Sequence, residues 1–355
     1  MKPVVKARRL ASKTLLQLAG ELLRLATLVR RGIKSDPLSM LLDLRVESQL
    51  QAEKIEQESR AERHTASATR VLILIPFRDG WQLTERCLVS LTRQKLPEGI
   101  SCRVALIDCD SQTEETQLGL QTFLARPRAI GFDFQHHINR NPFHIARIYN
   151  ETVRRFSDFS PDALIFMSHR IELQTESDLA RLTTFTMETP GTGAVGPVLL
   201  YRDDTVRRLF LAPGVGLVAA DMGRGEVHHP SHSWYQGPRN VPAISHEFLM
   251  VRTADFQAAG GFTEELATGG FDVDLCLALS SRERRHWTLP DVTVTFNSEK
   301  MATTTMNPNE ISFLYAKWGE DLAHHNRFSP RLSRWSTKPA LTLGEGPFPW
   351  RWLIR

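Results

Sequence analysis

The pattern of apolar and polar positions divides this chain into a helical N-terminal stretch, a body of alternating strands and helices, and a short tail. Residues 8–31 set Leu10, Leu15, Leu16, Leu18, Leu22, Leu23, Leu25, Leu28 and Val29 into a broad helical stripe with arginine and lysine beside it. Residues 45–63 are polar and rich in helix formers, which predicts a solvated helix or short coiled segment, and HTASAT at 64–69 reads as a linker. The body opens at 71–77 with VLILIPF, a fully apolar run ending in proline, the signature of a buried parallel strand. A helix over 83–94 and a strand over 103–107, ending in Asp108, complete a βαβ unit. A second helix at 145–156 leads to a strand at 163–167, which delivers Ser168, His169 and Arg170 to the same sheet edge. Ligands of such sheets gather at the C-terminal ends of the strands, so residues 76–79, 108–111 and 168–170 are predicted around one crevice.

Composition adds limits. With 41% apolar residues in 355, the chain can bury the core of one large α/β domain with appendages. No run of eighteen apolar residues occurs, because Glu21 and Arg24 break the N-terminal stretch, so neither a signal peptide nor a span is predicted and the cytosol is the expected compartment. Cys87, Cys102, Cys109 and Cys276 have no Cys-x-x-Cys or zinc spacing and are expected to be reduced packing residues. The net charge of +4 is uneven: residues 1–34 carry nine basic side chains against one acid, Glu21, so the remainder is net negative. A basic arm on an acidic body argues against nucleic-acid binding and for contact with an anionic surface or partner.

Five segments in order then resemble the family-two inverting glycosyltransferases of GT-A fold, over roughly residues 70–330. VLILIPFRDG is similar to their opening strand, VALIDCDS to the strand whose aspartate reads the nucleobase, and NPFHIARIYNETV to the helix before their metal-binding triplet. LIFMSHRIEL stands at the triplet, and HEFLMVRTADFQAAGGFTEELATGGFDVDLCLAL carries the Gly-Gly-Phe turn and the acidic segment before Val-Asp-Leu-Cys. KWGEDLAHHNRFSPRLS resembles the tail of O-antigen and rhamnose-type members. The resemblance implies an α/β GT-A fold: a mainly parallel nucleotide-binding sheet flanked by helices, with an N-terminal helical extension. The implied domains are a basic helical extension at 1–66, a transferase-like domain at 67–330 and a tail at 331–355.

Three departures mark the chain. The triplet reads Ser168-His169-Arg170, so an arginine stands at the ligating aspartate; Phe296, Asn297, Ser298 and Glu299 replace a His-x-Glu-Ser element; and Ser245-His246-Glu247 replaces small residues. By the resemblance, Asp272 is the base that takes the acceptor proton, although aspartate before an apolar run also suits a helix cap. Asp274 fits a structural place in the first helical turn. Asp108, Pro76, Asp79, Ser168, His169 and Arg170 are the implied donor-binding residues, and the guanidinium of Arg170 has the charge and planar fork to grip a diphosphate. Its other reading is an ordinary ion-paired arginine, with Glu172 or Asp272 as partner. Trp234, His246 and Glu247 are the implied acceptor wall, in a stretch where His228, His229 and His232 fit a sugar-binding loop better than a zinc site. No metal ligand set is expected, so no cofactor is expected; Mn or Mg held by His169 and Glu172 is the alternative, opposed by the positive charge of Arg170.

The implied function is metal-independent transfer of a sugar, with inversion, from a UDP- or dTDP-linked donor to a bacterial surface glycan or glycolipid; the alternative is a silent GT-A module that binds nucleotide sugar or glycan, or scaffolds an active transferase. The basic arm and PFPWRWLIR suit an interfacial position on the inner face of the plasma membrane, or else packing on the body or on a second copy. Salt-sensitive sedimentation with anionic vesicles is the expected outcome for the whole chain, and its loss for a shortened chain beginning at Thr69. Equal partitioning of the two removes the membrane reading.

Overall fold

The computed structural model describes residues 68–126, 131–216, 218–229, 237–297, 306–323 and Thr337; the expectations for the N-terminal arm, the tail and Trp234 fall outside them. In chain order the elements are β1 (Thr69–Phe77), α1 (Trp81–Thr92), β2 (Ile100–Asp108), α2 (Glu114–Leu124), β3 (Phe132–Ile138), α3 (Ile145–Arg155), β4 (Ala163–Met167), β5 (Ile171–Leu173), α4 (Asp178–Glu188) and β6 (Thr192–Leu200). There follow β7 (Val206–Arg208), β8 (Leu211–Pro213), β9 (Ala219–Asp221), β10 (Arg239–Val241), β11 (Phe248–Arg252), α5 (Thr253–Ala258), α6 (Phe271–Ser280), β12 (Arg285–Phe296) and α7 (Pro308–Ala323). One sheet runs β10-β12-β6-β11-β4-β1-β2-β3, with β5 on β12 and β7 on β6.

The half formed by β4, β1, β2 and β3 is parallel, as the apolar runs predict. The other half is mixed: β6 and β12 are parallel, but β11 runs antiparallel to both β4 and β6. The reason is where the chain re-enters: β11 begins at the edge where β4 ends, Phe248 facing Met167, so it returns antiparallel within a mainly parallel sheet.

Successive residues of β1 point to opposite faces, and both faces are covered. Val71, Ile73 and Ile75 enter one core with Leu88 of α1, Phe123 of α2 and Leu182 of α4. Leu72 and Leu74 enter the other with Tyr149 of α3, Phe256 of α5 and Leu275 of α6. The four cysteines are free and buried, as packing residues should be. Among the described residues no helix is long and apolar enough to cross a membrane.

The second core is built around Phe262. Its ring lies 4.6 Å from Phe166, 5.2 Å from Phe256 and 5.0 Å from Phe271, an edge-on cluster that joins β4, α5 and α6. The Gly-Gly-Phe turn is held by Asn150, whose amide accepts from Phe262 N at 3.0 Å and donates to Phe262 O at 2.8 Å. Glycine is required at 261: φ is +76° and an added Cβ would lie 2.8 Å from Asn150 Oδ1. Gly261→Ala is therefore expected to cost about 2–3 kcal/mol, read as a lower urea midpoint at unchanged slope.

Candidate functional site

The first wall of the site is the end of β1 and β2. Phe77 pairs with Asp108, a buried aspartate whose Oδ1 accepts from Ser111 N at 2.8 Å and whose Oδ2 lies 3.9 Å from His136 Nε2. Burial pushes its carboxyl up, but hydrogen bonds from His136 and Ser111 outweigh this and hold it below the ordinary range. Asp79 takes a left-handed conformation at φ 51° and binds the neighbouring loop: its Oδ1 accepts from Gln112 N and Thr113 N, each at 2.9 Å. Asp79 thus supplies the carboxylate at the N-terminus of α2, where Thr113 makes no cap of its own, and the Thr113 backbone bond chiefly lowers its pKa.

The second wall is the turn after β4. Ser168 N donates to Glu247 O at 3.0 Å, Arg170 N to Ser168 Oγ at 3.3 Å, and the His169 ring meets Pro76 O through Nδ1 at 3.2 Å. Burial, then the charge of Arg170, press the His169 pKa down to about 4, so the ring is neutral at physiological pH and ties β4 to β1. Arg170 O accepts from Asn297 N at 2.8 Å, which brings the triplet and the segment after β12 together. Asn297 in turn donates to Glu172 Oε2 at 3.0 Å and accepts from Arg202 Nε at 2.6 Å. This set does not fit the divalent cation that the resemblance would bring. A hard cation needs several free oxygen ligands, whereas here a guanidinium replaces the carboxylate, the imidazole faces a carbonyl and the amide oxygen is taken by an arginine. Among the described residues no group of three or more His, Cys, Asp or Glu side chains could hold a metal ion.

The third wall is the segment 245–247 against α6. Asp272 is not the helix cap: Gly270, at φ 81°, stands at the cap, and Asp272 lies in the first turn with its side chain turned to His246. Oδ2 accepts from His246 N at 3.1 Å and meets the ring Nδ1 at 2.8 Å, while Oδ1 accepts from Val273 N at 2.9 Å. Burial raises the Asp272 pKa, but the His246 hydrogen bond and charge, with Arg208 behind them, bring it below the ordinary value. Asp274 is structural, accepting from Thr263 Oγ1 at 2.6 Å and Trp318 Nε1 at 2.7 Å and pairing with Lys317 at 2.8 Å.

Behind the third wall lies a buried ring of charge that the sequence reading missed. Arg207 reaches Asp221 at 2.7 Å and Glu247 at 2.8 Å; Arg208 reaches the same two carboxylates, each at 2.6 Å, and also donates to Ser245 Oγ. Burial opposes the charge on Arg208, but Glu247 and Asp221 outweigh it and raise its pKa. The available signal was a charged pair inside the apolar run Val206–Phe210, with Asp221 inside another. Glu247, expected on the acceptor wall, has both oxygens engaged by these arginines.

The predicted residues therefore do converge. Pro76 links to His169, Ser168 to Glu247, His246 to Asp272, and Phe77 to Asp108, all at the C-terminal edge of the parallel strands. Trp234 lies outside the described residues, as does His232 of the histidine cluster.

No protein-family model matches the chain. The O-antigen biosynthesis protein RfbC of Myxococcus xanthus is 26% identical over 228 residues, which is 61% of this chain but 16% of that protein, so the chain spans about one sixth of this relative's length. Among solved structures, GalNAc-T7 with UDP, GalNAc and Mn2+ aligns at a TM-score of 0.55 and 12% identity, covering 72% of this chain and 49% of that one. The mannosyltransferase PcManGT from Pyrobaculum calidifontis, with GDP-Man and Mn2+, aligns at 0.46 and 15% identity over 74% of this chain and 68% of its own. The fold is that of GT-A glycosyltransferases.

The charged ring makes a stability prediction. Arg208→Met leaves Asp221 and Glu247 short of a partner in a buried place and is expected to cost about 3–5 kcal/mol. Burial works against the Asp221 charge, but Arg208 and Arg207 outweigh it and depress its pKa in the folded state. Its contribution is then complete above the unfolded value of about 3.9 and is lost as pH falls through the lower, folded value. Urea midpoints measured from neutral pH into that acid range should fall for the wild type and stay flatter for Asp221→Asn.

Proposed function

We propose that this chain is an inverting glycosyltransferase that moves a sugar from a UDP- or dTDP-linked donor to a bacterial surface glycan or glycolipid, without a divalent cation. The observation that carries this reading is the meeting of Asp108, the Ser168–Arg170 turn and the His246–Asp272 pair at one strand edge of a GT-A fold. The name of the Myxococcus relative, an O-antigen biosynthesis protein, supports the acceptor class, and the UDP in the GalNAc-T7 crystal supports a nucleotide-sugar donor.

In this reading Asp108 accepts a hydrogen bond from the imide of the nucleobase, within a pocket framed by Pro76, Asp79, Ser168 and His169. Arg170 pairs with the diphosphate, whose charge grows as it leaves; a guanidinium supplies permanent charge and two parallel donors there. Asp272 and His246 form the proton-accepting unit. His246 and Trp234 line the acceptor side, and Glu247 holds that wall through Arg207 and Arg208. The chain would work on the cytoplasmic face of the membrane, where lipid-linked acceptors are presented.

One observation favours the second reading, a module that binds nucleotide sugar or glycan without turning it over: the triplet carries Arg170 where the resemblance expects a carboxylate. Calorimetry against a panel of UDP- and dTDP-sugars, each with and without EDTA, and a transfer assay with the same donors separate the cases. Donor binding that survives chelation and weakens about tenfold or more in Arg170→Ala is the expected result. A requirement for Mn2+ or Mg2+ would overturn metal independence, and binding without transfer to any glycan tried would favour the module.

A further inference from the structure

Asp272 is badly placed to touch an acceptor. Its side chain is 7% exposed, whereas that of His246 is 30% exposed. Both Asp272 oxygens are already occupied, Oδ2 by the backbone and ring of His246 and Oδ1 by Val273 N. A buried carboxylate whose ionised form is held by several donors is a weak base. We infer that His246 is the group that takes the acceptor proton and that Asp272 is the positioning residue that holds its ring; the inference rests on the transferase reading above.

The geometry fixes what the ring can do. An ionised Asp272 facing Nδ1 at 2.8 Å selects the tautomer with its proton on Nδ1, which leaves the lone pair on Nε2. The Phe271 ring, 4.5 Å from the imidazole, packs against it and limits its rotation. Asp272 Oδ2, at 2.8 Å from Nδ1, is the anion that an imidazolium would face. Arg207 and Arg208 share Asp221 and Glu247, Arg224 lies 3.6 Å from Asp221, and the charge of Arg208 also reaches Asp272, whose direct side-chain partner is nonetheless His246.

The step balances as a single displacement. The acceptor O–H bond breaks and its proton passes to Nε2 as the oxygen forms a bond to the anomeric carbon. The bond from that carbon to the diphosphate oxygen breaks, and its electron pair leaves with the nucleoside diphosphate. The imidazolium, stabilised by Asp272, then returns its proton to solvent. Sequence position alone would assign the base to Asp272.

Two measurements on the full chain test this. Ring nitrogen NMR of labelled protein should contain, besides the signal of His169, whose Nδ1 faces Pro76 O, an imidazole protonated at Nδ1 and bare at Nε2 with a low-field Nδ1 proton; that second signal is lost in His246→Gln and altered in Asp272→Asn. An Nε2-protonated tautomer for His246 overturns the inference. In transfer assays with UDP- and dTDP-sugars, His246→Gln should lower kcat about a hundredfold or more with donor Kd unchanged, and added imidazole should restore part of the turnover of His246→Gly. Wild-type kcat in His246→Gln overturns the inference alone. A wild type inert toward every donor removes the transferase reading and the inference together.

Discussion

Two adjacent arginines taken out of water constrain this structure more than any other interaction. A buried guanidinium is tolerated only when carboxylates and further acceptors satisfy it. Arg207 and Arg208 meet that demand by sharing Asp221 and Glu247, so β7, β9 and the segment before β11 are locked to one another. The hydroxyl of Ser245 completes the shell of Arg208, and Arg207 stacks over Phe296 at the end of β12. With Ser245 and Glu247 fixed on either side, His246 has little freedom, and its ring is directed at Asp272. The electrostatic demand of one pair of side chains thus sets the geometry of the next.

The opposite side of the same pair is held by apolar packing. Phe262 presses on Phe271, Phe271 on His246, and Asn150 keeps the Gly-Gly-Phe turn against α3. From α6, Asp274 gathers Thr263, Lys317 and Trp318, while Glu310 accepts from Thr268 N and Asn307 N and so joins the loop before α6 to the start of α7. Short-range packing and directional hydrogen bonds together back the His246–Asp272 pair.

The turn after β4 follows a different logic. Where an acidic triplet would collect oxygen ligands around a cation, this chain uses its polar groups on one another: Ser168 on Arg170, His169 on Pro76, Asn297 on Glu172 and Arg202. Residues 168–170 and Asn297 are joined in space by the Arg170–Asn297 backbone bond, so they form one cluster.

Much of the framework was legible in the chain. The runs at 71–77 and 163–167, the helix at 145–156 and the Gly-Gly-Phe segment announce themselves because apolar period and glycine position are local properties, and the order of motifs placed Asp108, Ser168–Arg170 and Asp272 at one edge. The antiparallel course of β11, the service of Asp79 to the helix of another loop, and the sharing of Asp221 and Glu247 by Arg207 and Arg208 were not legible. Nor was the contact between His246 and Asp272, which are 26 residues apart. A sequence lists which side chains carry charge; the fold alone decides which of them lose water and must find each other, because desolvation is a property of position in three dimensions.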